Sequence, residues 1–129
     1  MIVRSVEEIS GSDRDIAGET WTSRRLLLKA DGMGFSLHDT VIFAGTETRL
    51  CYKHHLESCY CVEGRGEIEA VADGRRYEIG PGVLYALDKH DPHILRAHTD
   101  MRLICVFNPA CAGHEIHDPE GSYPLPSET

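Results

Sequence analysis

Short runs of period-two alternation, separated by closely spaced turn signals, leave an all-β architecture as the fold this chain can adopt. Turn residues recur at Asp31-Gly32, Gly34, Gly45, Glu63-Gly64, Gly66, Asp73-Gly74, Gly80-Pro81-Gly82, Asp91-Pro92 and Asn108-Pro109. Between them, Phe35, Leu37, Asp39, Val41 and Phe43 alternate with Ser36, His38, Thr40 and Ile42. Leu50, Tyr52 and His54 alternate with Cys51, Lys53 and His55, and Glu57, Cys59 and Cys61 share one face. Further runs cover 67–72, 75–79, 83–87, 93–97 and 101–107. Asp73-Gly74 between two runs reads as a two-residue hairpin turn. Many short strands at near-regular spacing predict a sandwich or barrel. The helix expected is a short one at 5–9, where Ser5 and Glu8 have capping-box spacing. Pro and Gly from Asn108 onward exclude a long regular element there, so the reading is one domain over 1–129, with a barrel to about 107 and a tail over 108–129.

The charge balance narrows the partners. A formal net charge of −8 argues against nucleic acid, whose phosphates need a basic surface, and against an anionic membrane. No apolar run approaches the ~20 residues a spanning helix requires. The opening residues lack signal-peptide architecture. The expectation is a cytoplasmic protein acting on something small. Five cysteines, with Cys59 and Cys61 too far apart along a strand to pair, predict reduced thiols and no disulfide framework. Eight histidines, grouped at 54–55 and 90–98 with His114 and His117 beyond, point toward metal or proton chemistry.

Two segments carry a motif. Glu57 is followed after six residues by Gly64-Arg-Gly66, and Gly80-Pro81-Gly82 leads through a short apolar run to Pro92-His93. In order and spacing these resemble the two motifs of the cupin superfamily. That resemblance implies a small jelly-roll barrel with a metal and a ligand at its open end. The chain departs from the general pattern. Where a His-x-His pair should precede the glutamate stand Cys51-Tyr52-Lys53, and adjacent His54 and His55 face opposite ways on a strand. A metal site must then be built from Glu57, His93 and another inward group. Tyr85, in phase with Val83 and Leu87, is the natural candidate. Two oxygens and one imidazole suit Fe(II) or Mn(II) better than copper or a closed zinc site. Three protein ligands leave positions open for substrate or water.

At a finer level the chain resembles the ectoine synthase family along nearly its whole length. The strings that carry this are Trp21-Thr-Ser-Arg24-Arg25, Tyr52-Lys-His-His-Leu-Glu57, Leu84-Tyr-Ala-Leu-Asp88, Cys105-Val-Phe-Asn-Pro109, Gly113 to Asp118 and Gly121-Ser-Tyr123-Pro-Leu125. The resemblance implies intramolecular condensation of N4-acetyl-L-2,4-diaminobutyrate to L-ectoine with loss of water. It further implies Fe(II), a head-to-tail homodimer and a role in compatible-solute biosynthesis under osmotic stress. It assigns Glu57, Tyr85 and His93 to the metal. Trp21, Arg25, Thr40, Cys105 and Phe107 fall at its substrate-contacting positions, and Tyr52, His55, Glu115 and His117 at further functional ones. Cys59 stands where an aliphatic side chain is expected.

Residue chemistry is consistent with these roles. Arg25 suits a carboxylate, which its guanidinium grips with two bonds. Tyr52, Tyr85, Glu115 and His117 are the groups available for proton traffic, and Cys105 reads as lining. Glu115 and His117 act only if the tail folds over the barrel mouth as a lid that excludes water. Two other readings remain at this level: a cupin dioxygenase, which ordinarily needs three imidazoles, and a ligand-sensing cupin without turnover.

Overall fold

A computed structural model describes residues 1–124, and among them ten strands form two antiparallel sheets. The strands are β1 (Asp15–Ala17), β2 (Trp21–Leu27), β3 (Ser36–Ile42), β4 (Glu47–Leu50), β5 (Leu56–Glu63), β6 (Gly66–Ala70), β7 (Arg76–Ile79), β8 (Leu84–Leu87), β9 (His93–Ala97) and β10 (Met101–Asn108). One sheet has the spatial order β1-β2-β3-β10-β5-β8, the other β4-β9-β6-β7. Two such faces closing on one interior make a jelly roll. The period-two rule sets what enters that interior. Along β10, Met101, Leu103, Cys105 and Phe107 are buried, while Arg102, Ile104 and Val106 are only partly covered. The helix α1 (Val6–Ile9) starts where expected, with the Ser5 hydroxyl accepting from the Glu8 N–H at 3.1 Å. Among the described residues, no helix is long and apolar enough to cross a membrane.

Three local expectations differ from the structure. β1 and β2 fall outside the runs recognised in the sequence. The inward positions of β2 are Trp21, Ser23 and Arg25, all buried, so the hydrophobic alternation that marks a strand is absent there. The run drawn through His55 stops at Leu50. Beyond it the backbone pairs with the tail: Cys51 N–H donates to the Gly121 carbonyl at 2.9 Å and Lys53 N–H to the Ser122 hydroxyl at 3.1 Å. Gly121 permits this approach. It has φ of 78°, and a Cβ there would sit 2.4 Å from the Arg49 carbonyl oxygen. At Asp73-Gly74 the loop is longer than two residues, because Ala70 N–H pairs with the Arg75 carbonyl and four residues lie between.

The tail has no helix or strand from Pro109 to Pro124, as its Pro and Gly content requires. It is nonetheless well packed, with Cys111, Glu115, Ser122 and Tyr123 buried. Leu125, the last residue of the final matching string, lies outside the described residues.

The N-terminal segment is tied to the sheet through Asp31. Its carboxylate accepts two bonds from Arg4 (2.8 and 2.9 Å), one from Arg14 (3.1 Å) and one from the Leu28 N–H (2.9 Å). The Arg4 guanidinium holds this carboxyl well below the usual range, against the opposing effect of burial. A depressed folded pKa adds stability that is complete above the unfolded value near ~3.9 and disappears as pH falls toward the folded one. Asp31→Asn should therefore lower the unfolding free energy at pH 7 by about 1–3 kcal/mol. The gap from wild type should narrow in urea titrations at pH 3.

Candidate active site

Between the sheets lies a cavity whose walls come from separate stretches of chain. Trp21 and Ser23 enter from β2, His38 and Thr40 from β3, Glu57 and Cys59 from β5, Tyr85 from β8 and Cys105 and Phe107 from β10. Tyr52, His117 and Tyr123 enter from irregular segments, and Thr48, Leu50 and Leu95 from the four-stranded sheet. On β3 it is the polar set, Ser36, His38 and Thr40, that faces inward, followed by Ile42. Burying polar side chains is costly unless they find partners, so an inward polar face marks a site in place of plain core.

The tail supplies one wall. The His117 and Tyr123 rings stack at 4.5 Å with planes 4° apart. Trp21 meets the edge of His117 at 5.2 Å. Burial drives the His117 pKa down to about 4 and the Tyr52 pKa well up. The imidazole is therefore neutral at pH 7 and the phenol protonated. A 2.7 Å hydrogen bond joins the Tyr52 hydroxyl to His117 Nε2, so a proton is shared between phenol and imidazole at the wall.

Arg25 stands behind this wall, fully buried. Its Nε donates to Ser23 (3.2 Å), and one Nη donates to the Glu115 carbonyl (2.8 Å) and the Tyr123 hydroxyl (3.3 Å). The other, Nη1, lies 3.6 Å from the Glu115 carboxylate and has no hydrogen-bond partner. Glu115 also accepts from the Ala112 and Gly113 N–H groups at 2.6 and 2.7 Å. Burial raises its pKa, but those two bonds and Arg25 outweigh that and the net shift is downward. His55 is buried beside this pair, with a ring nitrogen within 4.8 Å of ligand atoms on Cys111 and Glu115. Neither Arg25 nor His55 is among the residues lining the cavity. They support the wall that His117 and Tyr123 form.

The three residues assigned to a metal are all buried or half-buried. Glu57 and Tyr85 come from the six-stranded sheet and His93 from the four-stranded one. The His93 ring lies 6.5 Å from Tyr85 and 6.2 Å from Tyr52, centroid to centroid. Tyr85 and His93 also share a neighbouring groove. Two features make these residues fit a cation. His93 donates from Nδ1 to the Asp91 carbonyl at 2.8 Å, while buried Nε2 has no partner. An imidazole oriented through Nδ1 and bare at Nε2 is the usual form of a metal ligand. Glu57 is buried and joins no ion pair among the described residues. Burial pushes its pKa up to about 8, although the thiols of Cys59 and Cys105 pull the other way. A carboxylate so enclosed needs a counter-charge to remain ionised.

Of the cavity residues, His38, Tyr123 and Ser23 were not singled out in the sequence. Tyr123 lay within a matching string. His38 sat on an alternating run whose inward face the sequence alone did not decide.

The two packed sheets with an interior site fed by both define a cupin. An RmlC-like cupin from Shewanella frigidimarina superposes on 74% of this chain and 82% of its own, with a TM-score of 0.63 at 21% identity. That likeness carries the fold alone. The chain belongs to the ectoine synthase family, whose model matches residues 1–127. Relatives named L-ectoine synthase are 60% identical in Desulfatibacillum aliphaticivorans, over 97% of this chain and 98% of that protein, and 57% identical in Halalkalibacterium halodurans, over 97% of each. The crystal structure of ectoine synthase from P. lautus matches with a TM-score of 0.88 and 56% identity, over 100% of this chain and 94% of that one. The family consists of enzymes, hydro-lyases of ectoine biosynthesis.

Proposed function

We propose that this protein cyclises N4-acetyl-L-2,4-diaminobutyrate to L-ectoine with loss of water, using Fe(II) held by Glu57, Tyr85 and His93. The full-length match to the ectoine synthase family carries this reading. The donor set supports it: two oxygens and one imidazole suit Fe(II), with open positions left for a ligand.

In the reaction the substrate's α-amine bonds to its own acetamide carbonyl carbon, and the carbonyl oxygen departs as water. Fe(II), when bound, supplies a Lewis acid that polarises the acetamide carbonyl. The chain's own residues do the rest. Trp21, Phe107 and Thr40 confine a flexible substrate so that its two ends meet, an effect worth up to ~7–11 kcal/mol in well-oriented systems. Arg25, fully buried behind the cavity wall, pairs with the Glu115 carboxylate and bonds the Tyr123 hydroxyl, so it serves the substrate by fixing that wall. The Tyr52 hydroxyl, bonded to neutral His117, holds a proton at the cavity wall. The neutral His117 imidazole is the basic group beside it that can take one up. Glu115 and His55 brace the tail, which acts as a lid excluding water that would hydrolyse the amidine. Cys105 lines the cavity.

The site of action is the cytoplasm, in osmotic stress, and the working form is a head-to-tail homodimer. Leu84 and Tyr60, paired across β8 and β5 and 59% and 44% exposed, provide an apolar edge for a second copy to cover. Incubation with N4-acetyl-L-2,4-diaminobutyrate and Fe(II), followed by proton NMR, should show the cyclic amidine accumulating. An unchanged substrate spectrum with iron-loaded protein would refute the reading.

A further inference from the structure

Cys59 and Cys105 are direct register partners on β5 and β10. Their sulfurs lie 3.5 Å apart, both are buried, and both line the cavity. The other cysteines are placed differently. Cys61 bonds the Glu63 carbonyl, Cys51 is half-buried against the His90 carbonyl, and Cys111 is buried within the tail near His55 and Glu115. We infer that Cys59 and Cys105 form an oxidation-sensitive dithiol that closes into a cross-strand disulfide and disables the cavity.

The geometry asks for little movement. Residues directly opposite on antiparallel strands have Cα atoms ~4.5–5.5 Å apart, within the ~4.4–6.8 Å that disulfides span. The sulfurs must approach by about 1.5 Å to reach bonding length, a shift that small χ1 rotations supply. With a peroxide as oxidant the step balances. One thiol is oxidised to a sulfenic acid, the peroxide being reduced with release of one water. The second sulfur then attacks the first, the S–S bond forms, and the sulfenic oxygen leaves with the second thiol's proton as another water. The cavity both sulfurs line gives a small oxidant its approach.

Both sulfurs lie within 4.8 Å of a Glu57 carboxylate oxygen. Closure removes both S–H donors beside that carboxylate and replaces two thiols with a rigid bridge on the wall where the substrate is confined. The loss of turnover rests on the proposed function, whereas the covalent change does not.

The test exposes iron-loaded protein to hydrogen peroxide, traps free thiols with an alkylating agent under denaturing conditions, and measures intact mass and peptides. The expected result is a loss of ~2 Da before alkylation, two of the five cysteines protected, a linked peptide pair holding 59 and 105, and reversal by dithiothreitol. Ectoine formation by the same sample should fall at least tenfold and recover on reduction. Once peroxide is removed and fresh Fe(II) supplied, Cys59→Val should return to its own starting rate, whereas the unaltered chain should do so only after reduction by dithiothreitol. Five alkylated thiols, a pair other than 59–105, or inactivation that outlasts fresh Fe(II) equally in Cys59→Val would each overturn the inference. If the untreated protein makes no ectoine, the proposed function fails while the thiol readout still decides the dithiol. If Cys59→Val does not fold, the linked peptide from the unaltered chain decides alone.

Discussion

Glu57→Gln should yield a folded protein that has lost nearly all its iron and turns over more than about 100-fold more slowly, since disturbing outer groups around a metal already costs 10–100-fold. The substitution keeps the shape of a side chain buried beside Cys59 and Cys105 and removes only its charge. With no ion-pair partner among the described residues and a pKa pushed up to about 8 by burial, the metal-free carboxyl must take up a proton to fold at neutral pH, which costs stability. Metal-free Glu57→Gln should accordingly resist urea at least as well as metal-free wild type. His93→Ala should lose iron too, because Nε2 is the bare donor. Iron per chain by mass spectrometry, urea midpoints and the NMR assay give the three readouts. Normal iron content in either variant would remove that residue from the ligand set.

Glu115→Gln should destabilise the protein by about 3–5 kcal/mol, the usual consequence of stranding one partner of a buried ion pair. Arg25 and Glu115 side chains are 0% and 2% exposed, so water cannot take over for the lost charge. The variant also weakens the acceptor for the Ala112 and Gly113 N–H groups, and with it the fold of the tail. His117 and Tyr123 leave the cavity wall, so KM should rise and kcat fall while iron stays bound. Urea unfolding of Arg25→Ala, Glu115→Gln and the double variant should show strong coupling. Equal stability of Glu115→Gln and wild type would contradict the ion-pair account.

The fold class was legible because closely spaced turn residues cut the chain into short extended runs, and Met101, Leu103, Cys105 and Phe107 mark the inner face of β10. Along β2 and β3 the pattern fails for the reason that makes them interesting. Ser23, Arg25, His38 and Thr40 point inward, so the core face is polar and hydrophobicity cannot report it. The end of β4 was equally hidden. Tyr52 to His55 alternate well, but Cys51 and Lys53 spend their N–H groups on Gly121 and Ser122, nearly seventy residues away. The metal-ligand candidates were legible from motif spacing, while the arrangement of Arg25 depended on a tail whose packing no local pattern encodes. Composition gave that tail as Pro- and Gly-rich and irregular. Its burial comes from Tyr123 and Glu115 finding partners on the barrel.

The proposed metal donors are split between the two sheets, with Glu57 and Tyr85 on one and His93 on the other. An ion bridging them would rivet the sandwich shut, and the unfolded chain has no equivalent site. Each tenfold rise in free metal above its dissociation constant then adds ~1.4 kcal/mol to folding. In a cell short of iron the same chain would open more often and be degraded faster. Its abundance, and not only its catalytic rate, would follow the metal supply.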